Sequence, residues 1–543
     1  MLIDLNEFFG RENKLAVAIL TFTYFVSMFL FLLNWGVYWD DWWLLSLSDN
    51  DLLDMFRQMG GGAGQIFGYL HSMLLHSAVT VKGYRIILFL SGYITLLSFY
   101  FILQKEILKN KYWAFWTAML FAVVPLNFAK VTLICLPYSI ALALFYFAFT
   151  IAIYAKNTYK VRLLVNALFF GSFFVNSLVI FYPIFLLTLL WRKVRLKDSF
   201  VFKNILEFIS EYWDFVLIPF LFVFFKYFIF DLPHGAYRGY NSVVISLKLF
   251  PETFYSLLTV LGRINSSLSF NLFSFLFIFL LVGVPVTFLK KQMQSPDKGD
   301  LFFLKKNDLL KIIILSGVSL FLAVVPYVLV GRTRAIFGLE WLDRDTLLLQ
   351  FGISLSLILI ILILLSSQYL FYWSRLRQCL VVLYPMIFFY LFLIPSIKGQ
   401  VILLKDAIKQ DAIIDFMKNE KEMRKSFTFV FHDQSLSSNI YGRSYRDYEL
   451  NGLAYSIFKD QKRFFSLTGI IKDACPTELR ITQICKDWKR SALTNNLYVN
   501  ESPVLKLSAQ RILYLAFLKY FKKDEYIKEA TSYFLISLRP QAG

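Results

Sequence analysis

Two neighbouring carboxylates, Asp40 and Asp41, follow the first long apolar run of the chain within the stretch Tyr38-Trp39-Asp40-Asp41-Trp42-Trp43. Trp and Tyr collect at membrane–water boundaries, so this stretch places two acids at headgroup level beside a greasy wall. Two like charges in a half-apolar setting repel and lose hydration. That raises at least one pKa, and it is the environment a general base or an ion site requires. The same residues also fit an interfacial aromatic belt with two solvated acids. On the catalytic reading Asp40 and Asp41 are the base candidates, and Tyr38, Trp39 and Trp42 line the substrate.

A base that activates a hydroxyl needs a cation elsewhere to receive the departing group. Arg332, Arg334 and Arg344 lie in one later polar loop, with Arg344 between Asp343 and Asp345 just before an apolar helix. A guanidinium forks onto phosphate oxygens and stays charged at any working pH, which makes Arg344 the first choice for a phosphate clamp. Ion pairing among Asp343, Arg344 and Asp345 accounts for the same residues. Arg57, Lys82 and Arg85 flank the acidic loop as further donor-binding candidates. His71 and His76, five apart, either face substrate or are hydrogen-bonded structural residues. Lys130, between two apolar runs, either meets a lipid phosphate or snorkels to the surface. Gly60-Gly61-Gly62-Ala63-Gly64 lacks the Lys-Ser/Thr of a phosphate loop and reads as a hinge. The stretch 441–449, with Tyr441, Arg443, Tyr445, Arg446 and Tyr448, suits sugar contacts or a plain surface loop.

The elements that must position these groups follow from composition. Of 543 residues, 58% are hydrophobic, 19% aromatic and only 17% charged. An ordinary globular domain carries about 25% charged residues, so a soluble enzyme, a disordered chain and a small disulfide-stapled module are excluded. Much of the chain must be solvated by lipid. The net charge of +19 comes from short basic clusters between apolar runs. The positive-inside rule explains them without a polyanion, and no nucleic-acid partner is expected.

Roughly 20 apolar residues cross a bilayer, and runs of that kind recur from Leu15–Leu33 to Leu380–Ile394. The loop after the first run holds five acids before Gly60 against the single Arg57, so it belongs outside. Lys105, Lys109 and Lys111 then close the second run inside. The run 163–190 has basic residues at both ends, which calls for two short helices turning near Asn176-Ser177. The expected fold is therefore a polytopic α-helical membrane protein of about eleven spans. The first run lacks a small-residue cleavage site and reads as a retained helix.

Charge density doubles near Pro395-Ser396-Ile397-Lys398: 53 charged residues fall in the first 397 positions and 40 in the last 146. This divides a membrane region, 1–397, from an extracytoplasmic C-terminal domain, 398–543. The tail reads as mixed α/β, with a helix near 404–425, a strand over 427–431 and two helices between 508 and 538. Cys475 and Cys485 lie ten apart in it and are placed to pair in an oxidising compartment.

An N-terminal helix followed at once by an outer loop with an Asp-Asp pair, here Asp40-Asp41, resembles the GT-C glycosyltransferases. These membrane enzymes take sugars from polyprenyl-phosphate carriers, and the likeness is to protein mannosyltransferase and aminoarabinose transferase types. The resemblance covers the whole architecture but rests on one short motif. It implies inverting transfer of a sugar from a polyprenyl-phosphate donor to a glycan, lipid or protein acceptor outside the cytoplasm, in a bacterial inner or plasma membrane. Some members use a divalent cation, Mg or Mn, which Asp40 and Asp41 would hold here, and others use a basic residue; the sequence is compatible with either. Two other functions compete. A polymerase or ligase acting on diphospholipid-linked glycans would work through a late outer loop and tolerate loss of both acids. A lipid or glycan transporter would carry polar residues at mid-membrane depth and inverted repeats.

Overall fold

The computed structural model describes residues 11–75, 80–193, 201–230, 243, 248–283, 285–287, 289, 306–331, 341–366, 374–425, 428–459, 463–467 and 495–540. Of the expected site and disulfide residues, His76, Arg332, Arg334, Cys475 and Cys485 lie outside this set.

Helices dominate. Six of those described are long and apolar enough to cross a membrane, or eight if two sharply bent pairs each count as one span. The chain is thus a helical protein built for a bilayer. The sequence reading of about eleven spans counts apolar runs that fold as shorter helices. Run 113–129 becomes the 13-residue helix Lys111–Val123, buried on nearly every side, followed by an irregular stretch through Cys135. Its apolar residues face protein rather than lipid. Run 163–190 divides into Tyr159–Ser172 and helices from Ser177 to Lys193, with the break over 173–176.

Contacts between the helices define two ends. At the basic end Arg192 pairs with Glu106, and Lys311 Nζ donates to the Trp191 carbonyl at 3.4 Å. At the other end the first loop, the stretch 124–135 and the turn Trp341–Thr346 meet. The Thr80–Ile102 helix joins the two ends; its 23 residues span about 35 Å.

One helix, Ser374–Asn419, is 46 residues long and reaches about 70 Å, through Pro385 and Pro395. It runs unbroken across position 397/398 and carries the C-terminal region on its C-terminal half. That region holds a four-stranded sheet ordered β2-β1-β3-β4: β1 (Thr428–Asp433), β2 (Phe464–Ser466), β3 (Asn495–Glu501) and β4 (Phe534–Pro540). β1 pairs parallel with β2 and β3, and β3 antiparallel with β4. The sequence expectation of helix through residue 538 is corrected here. Helices Ala509–Phe521 and Lys523–Ser532 are followed by a strand, because residues 534–540 pair with β3 over its whole length. The buried Lys409 ammonium fixes the sheet to the long helix: it donates to both Asp433 oxygens at 2.7 Å and to Asn439 Oδ1 at 2.5 Å.

Candidate active site

Trp39 adopts a left-handed backbone conformation, φ 50°, uncommon for a bulky residue. Its ring packs against Tyr38, and the Arg443 guanidinium lies 5.4 Å from its centroid. Immediately after this turn begins the four-residue helix Asp41–Leu44, so the two acids leave the chain in different surroundings.

Asp41 is fully buried. Its Oδ2 accepts the Leu133 amide at 2.8 Å and its Oδ1 the Ile134 amide at 3.1 Å. Burial pushes its carboxyl up to about 7, although the two amides and the nearby Arg85 favour the charged form. With one amide on each oxygen, Asp41 works as a latch on the 131–135 stretch.

Asp40 is half-buried, and its Oδ1 accepts the Tyr448 hydroxyl at 3.0 Å. Tyr448 belongs to the helix Asp447–Phe458, which packs directly on Asp41–Leu44; a Cβ at Gly452 would stand 2.5 Å from the Trp42 carbonyl oxygen. Burial, then Asp40 itself, raises the Tyr448 phenol, which keeps it protonated as the donor. Beside it Arg443 forks onto Glu449 at 2.7 and 2.6 Å. Glu449 Oε2 also accepts the Arg446 amide, which caps the helix. The aromatic-polar stretch of the tail is therefore the lid over the first loop. No local pattern in the sequence links that stretch to Asp40, because the contact spans 408 positions.

Other expected site residues fall elsewhere. Arg85 was expected to bind donor phosphate, and the structure corrects this. It is buried, and its donors go to the carbonyls of Asn34 at 3.0 Å, Gly36 at 2.8 Å and Val131. It joins the first loop to the 131–135 stretch from the carbonyl side, as Asp41 does from the amide side. His71 is buried between the Phe56 and Tyr84 rings, and its Nδ1 shares a hydrogen bond with the Tyr84 hydroxyl at 2.7 Å. Burial depresses its imidazole to about 3, so it is neutral and structural. Tyr38 is buried, donating to the Leu403 carbonyl at 2.6 Å, and Trp42 is buried under the Asp447–Phe458 helix. Arg57 is exposed on the Asp49–Leu75 helix, and Lys82 is exposed with its ammonium 5.1 Å from the Tyr520 ring centroid. The glycine-rich stretch is a kink in that helix, at Gly61.

The late loop approaches from the other side. Asp343 is buried and accepts the Phe128 amide. Burial raises it to about 7, against that amide, the Asn127 amide, the Thr346 hydroxyl and Lys130. The Lys130 ammonium is lowered by burial to about 8 and held up by Asp343. The Arg344 Nε lies 3.7 Å from Asp345 Oδ1. Lys130 and Asn127 line a partly open cavity walled by Met28, Leu88, Leu96 and Leu142. Neither Asp40 nor Asp41 lines it.

Both Asp41 oxygens carry amide hydrogens, and no cluster of three His, Cys, Asp or Glu groups able to hold a metal occurs among the described residues. No protein-family model matches the chain, and no curated protein sequence matches it.

Proposed function

We propose that the protein is a membrane glycosyltransferase that moves a sugar from a polyprenyl-phosphate carrier to an extracytoplasmic glycan, lipid or protein acceptor, with inversion, Asp40 acting as general base. The observation that carries this reading is the division of the acid pair. Asp41 is spent on two backbone amides, while Asp40 remains half-exposed at the seam between the first loop and the C-terminal lid, steadied through one oxygen by Tyr448.

In this reaction Asp40 takes the proton of the acceptor hydroxyl as its oxygen bonds to the sugar's anomeric carbon. The bond from that carbon to the phosphate oxygen breaks, and its electron pair leaves with the polyprenyl phosphate. A positioned base of this kind contributes roughly 10²–10⁴-fold. Lys130, which lines the apolar cavity, and Arg344, three positions before its lining residue Leu347, are the cations that receive the phosphate, and the cavity walls suit a prenyl chain. Arg57 and Lys82, both exposed, are the contacts to the incoming lipid on this reading.

The test is release of polyprenyl phosphate by the purified full chain in nanodiscs, offered polyprenyl-monophosphate hexoses and pentoses with a mixed acceptor pool. Release from monophosphate donors is expected. Consumption of diphosphate-linked glycans alone would replace this reading with a polymerase or ligase. Movement of labelled lipid across vesicles without bond cleavage would replace it with a transporter.

A further inference from the structure

The basic end of the bundle carries a second site, remote from Asp40 and unused by the proposed reaction. Three elements far apart in sequence converge there: the π-helical turn Leu103–Ile107 with the following Lys109, the helix Pro183–Lys193, and the start of the helix Lys306–Val328. They line a partly open cavity. Lys109, Arg192 and Lys311 line it against one acid, Glu106, and Trp191 and Leu315 supply an aromatic and an apolar wall.

The charge there is not self-compensated. Arg192 pairs with Glu106 at 2.5 Å. Lys311 reaches the Trp191 carbonyl at 3.4 Å and stands 3.9 Å from Asp308. The Lys109 amide donates to the Leu103 carbonyl, while its ammonium has no acceptor among the described residues. Its backbone is left-handed, φ 51°, so the chain turns sharply just as it leaves the π-helical turn. Such turns recur at functional sites because the extra residue re-aims the side chains around it.

Positive-inside statistics explain why lysines cluster in a loop. They do not explain why three cations from segments some 80 to 200 positions apart line one cavity with a tryptophan at its wall. Basic cavities between transmembrane helices, backed by apolar helix faces, are the chemistry that holds anionic lipid headgroups. An ammonium and a guanidinium around a phosphodiester give charge-assisted hydrogen bonds, tryptophan is a residue favoured at headgroup level, and an apolar wall suits acyl chains.

We propose that this cavity binds the phosphate headgroup of an anionic glycerophospholipid from the bilayer. The ligand chemistry is a phosphate oxyanion, which inorganic phosphate also presents, so the test separates the two sources.

The purified full chain in neutral detergent is titrated with phosphatidylglycerol, with phosphatidylcholine, and with inorganic phosphate. Thermal unfolding is read for wild type, for the double variant Lys109→Gln/Lys311→Gln, and for a control, Lys156→Gln/Lys160→Gln, with the same charge change at exposed positions outside the cavity. Phosphatidylglycerol is expected to raise Tm by several degrees in wild type and control, and by less than half as much in the cavity variant. Phosphatidylcholine and inorganic phosphate are expected to leave Tm unchanged. Equal stabilisation of the cavity variant, or an equal loss in the control, would overturn the site. Stabilisation by inorganic phosphate matching that by phosphatidylglycerol would overturn the lipid as its ligand. Arg192 is left intact in these variants because removing it would strand Glu106.

Discussion

Tyr448 and Asp40, 408 positions apart, are joined by one hydrogen bond in which the phenolic hydroxyl donates to Asp40 Oδ1 at 3.0 Å. Through it the C-terminal region touches the proposed base itself. Tyr448 is a positioning residue on this reading, and hydrogen bonds to charged groups contribute about 1.5–3 kcal/mol. Tyr448→Phe should lower kcat roughly tenfold with little change in Tm, measured by polyprenyl phosphate release. An unchanged kcat would remove Tyr448 from the site.

Closure of the lid depends on a missing side chain. Helix Asp447–Phe458 meets Asp41–Leu44 at Gly452, where a Cβ would lie 2.5 Å from the Trp42 carbonyl oxygen. Gly452→Ala should push the helices apart, and hydrogen exchange at residues 40–45 should quicken. Unaltered exchange would mean that the backbones yield without separating.

Arg85 and Asp41 secure the same short stretch from opposite chemical sides, carbonyl and amide. Loss of either leaves buried backbone groups without partners, at about 1–3 kcal/mol for each. Arg85→Ala and Asp41→Ala should each lower Tm sharply. Arg85→Lys should rescue little, because an ammonium cannot reproduce the fork. A phosphate-binding Arg85 would instead raise KM and leave Tm intact.

The pH dependence of stability carries a sign that distinguishes Asp41. Its folded carboxyl is raised to about 7 by burial, above an ordinary value of 3.8. Between those values the native state holds the proton more tightly than the unfolded state, so this group's contribution to stability falls as pH rises from about 4 to about 7. Asp41→Asn does not titrate. The variant's Tm deficit relative to wild type should therefore be largest near pH 4 and shrink toward pH 7. A deficit that grows over that window would contradict the burial of Asp41.

What the sequence discloses and what it hides follow from the range of the interactions. The turn near Asn176 and the break at the glycine cluster are local patterns, and the structure has both in place. Helix Lys111–Val123 is apolar enough to read as a span, but hydropathy does not distinguish a helix wrapped by protein from one wrapped by lipid. Arg85 carries the right side chain for phosphate, while its real partners, Asn34, Gly36 and Val131, are 46 to 51 positions away. Residues 534–540 become a strand only because β3 offers them an edge. Adjacent acids look equivalent on paper, and the turn at Trp39 is what separates their roles.

The most direct test is the turnover of Asp40→Asn against wild type with a polyprenyl-monophosphate sugar, in nanodiscs, at matched Tm. A base at Asp40 predicts a loss of roughly 10²–10⁴-fold in kcat with the fold intact. A variant that releases polyprenyl phosphate at the wild-type rate would contradict the role of Asp40 and the glycosyl-transfer reading built on it.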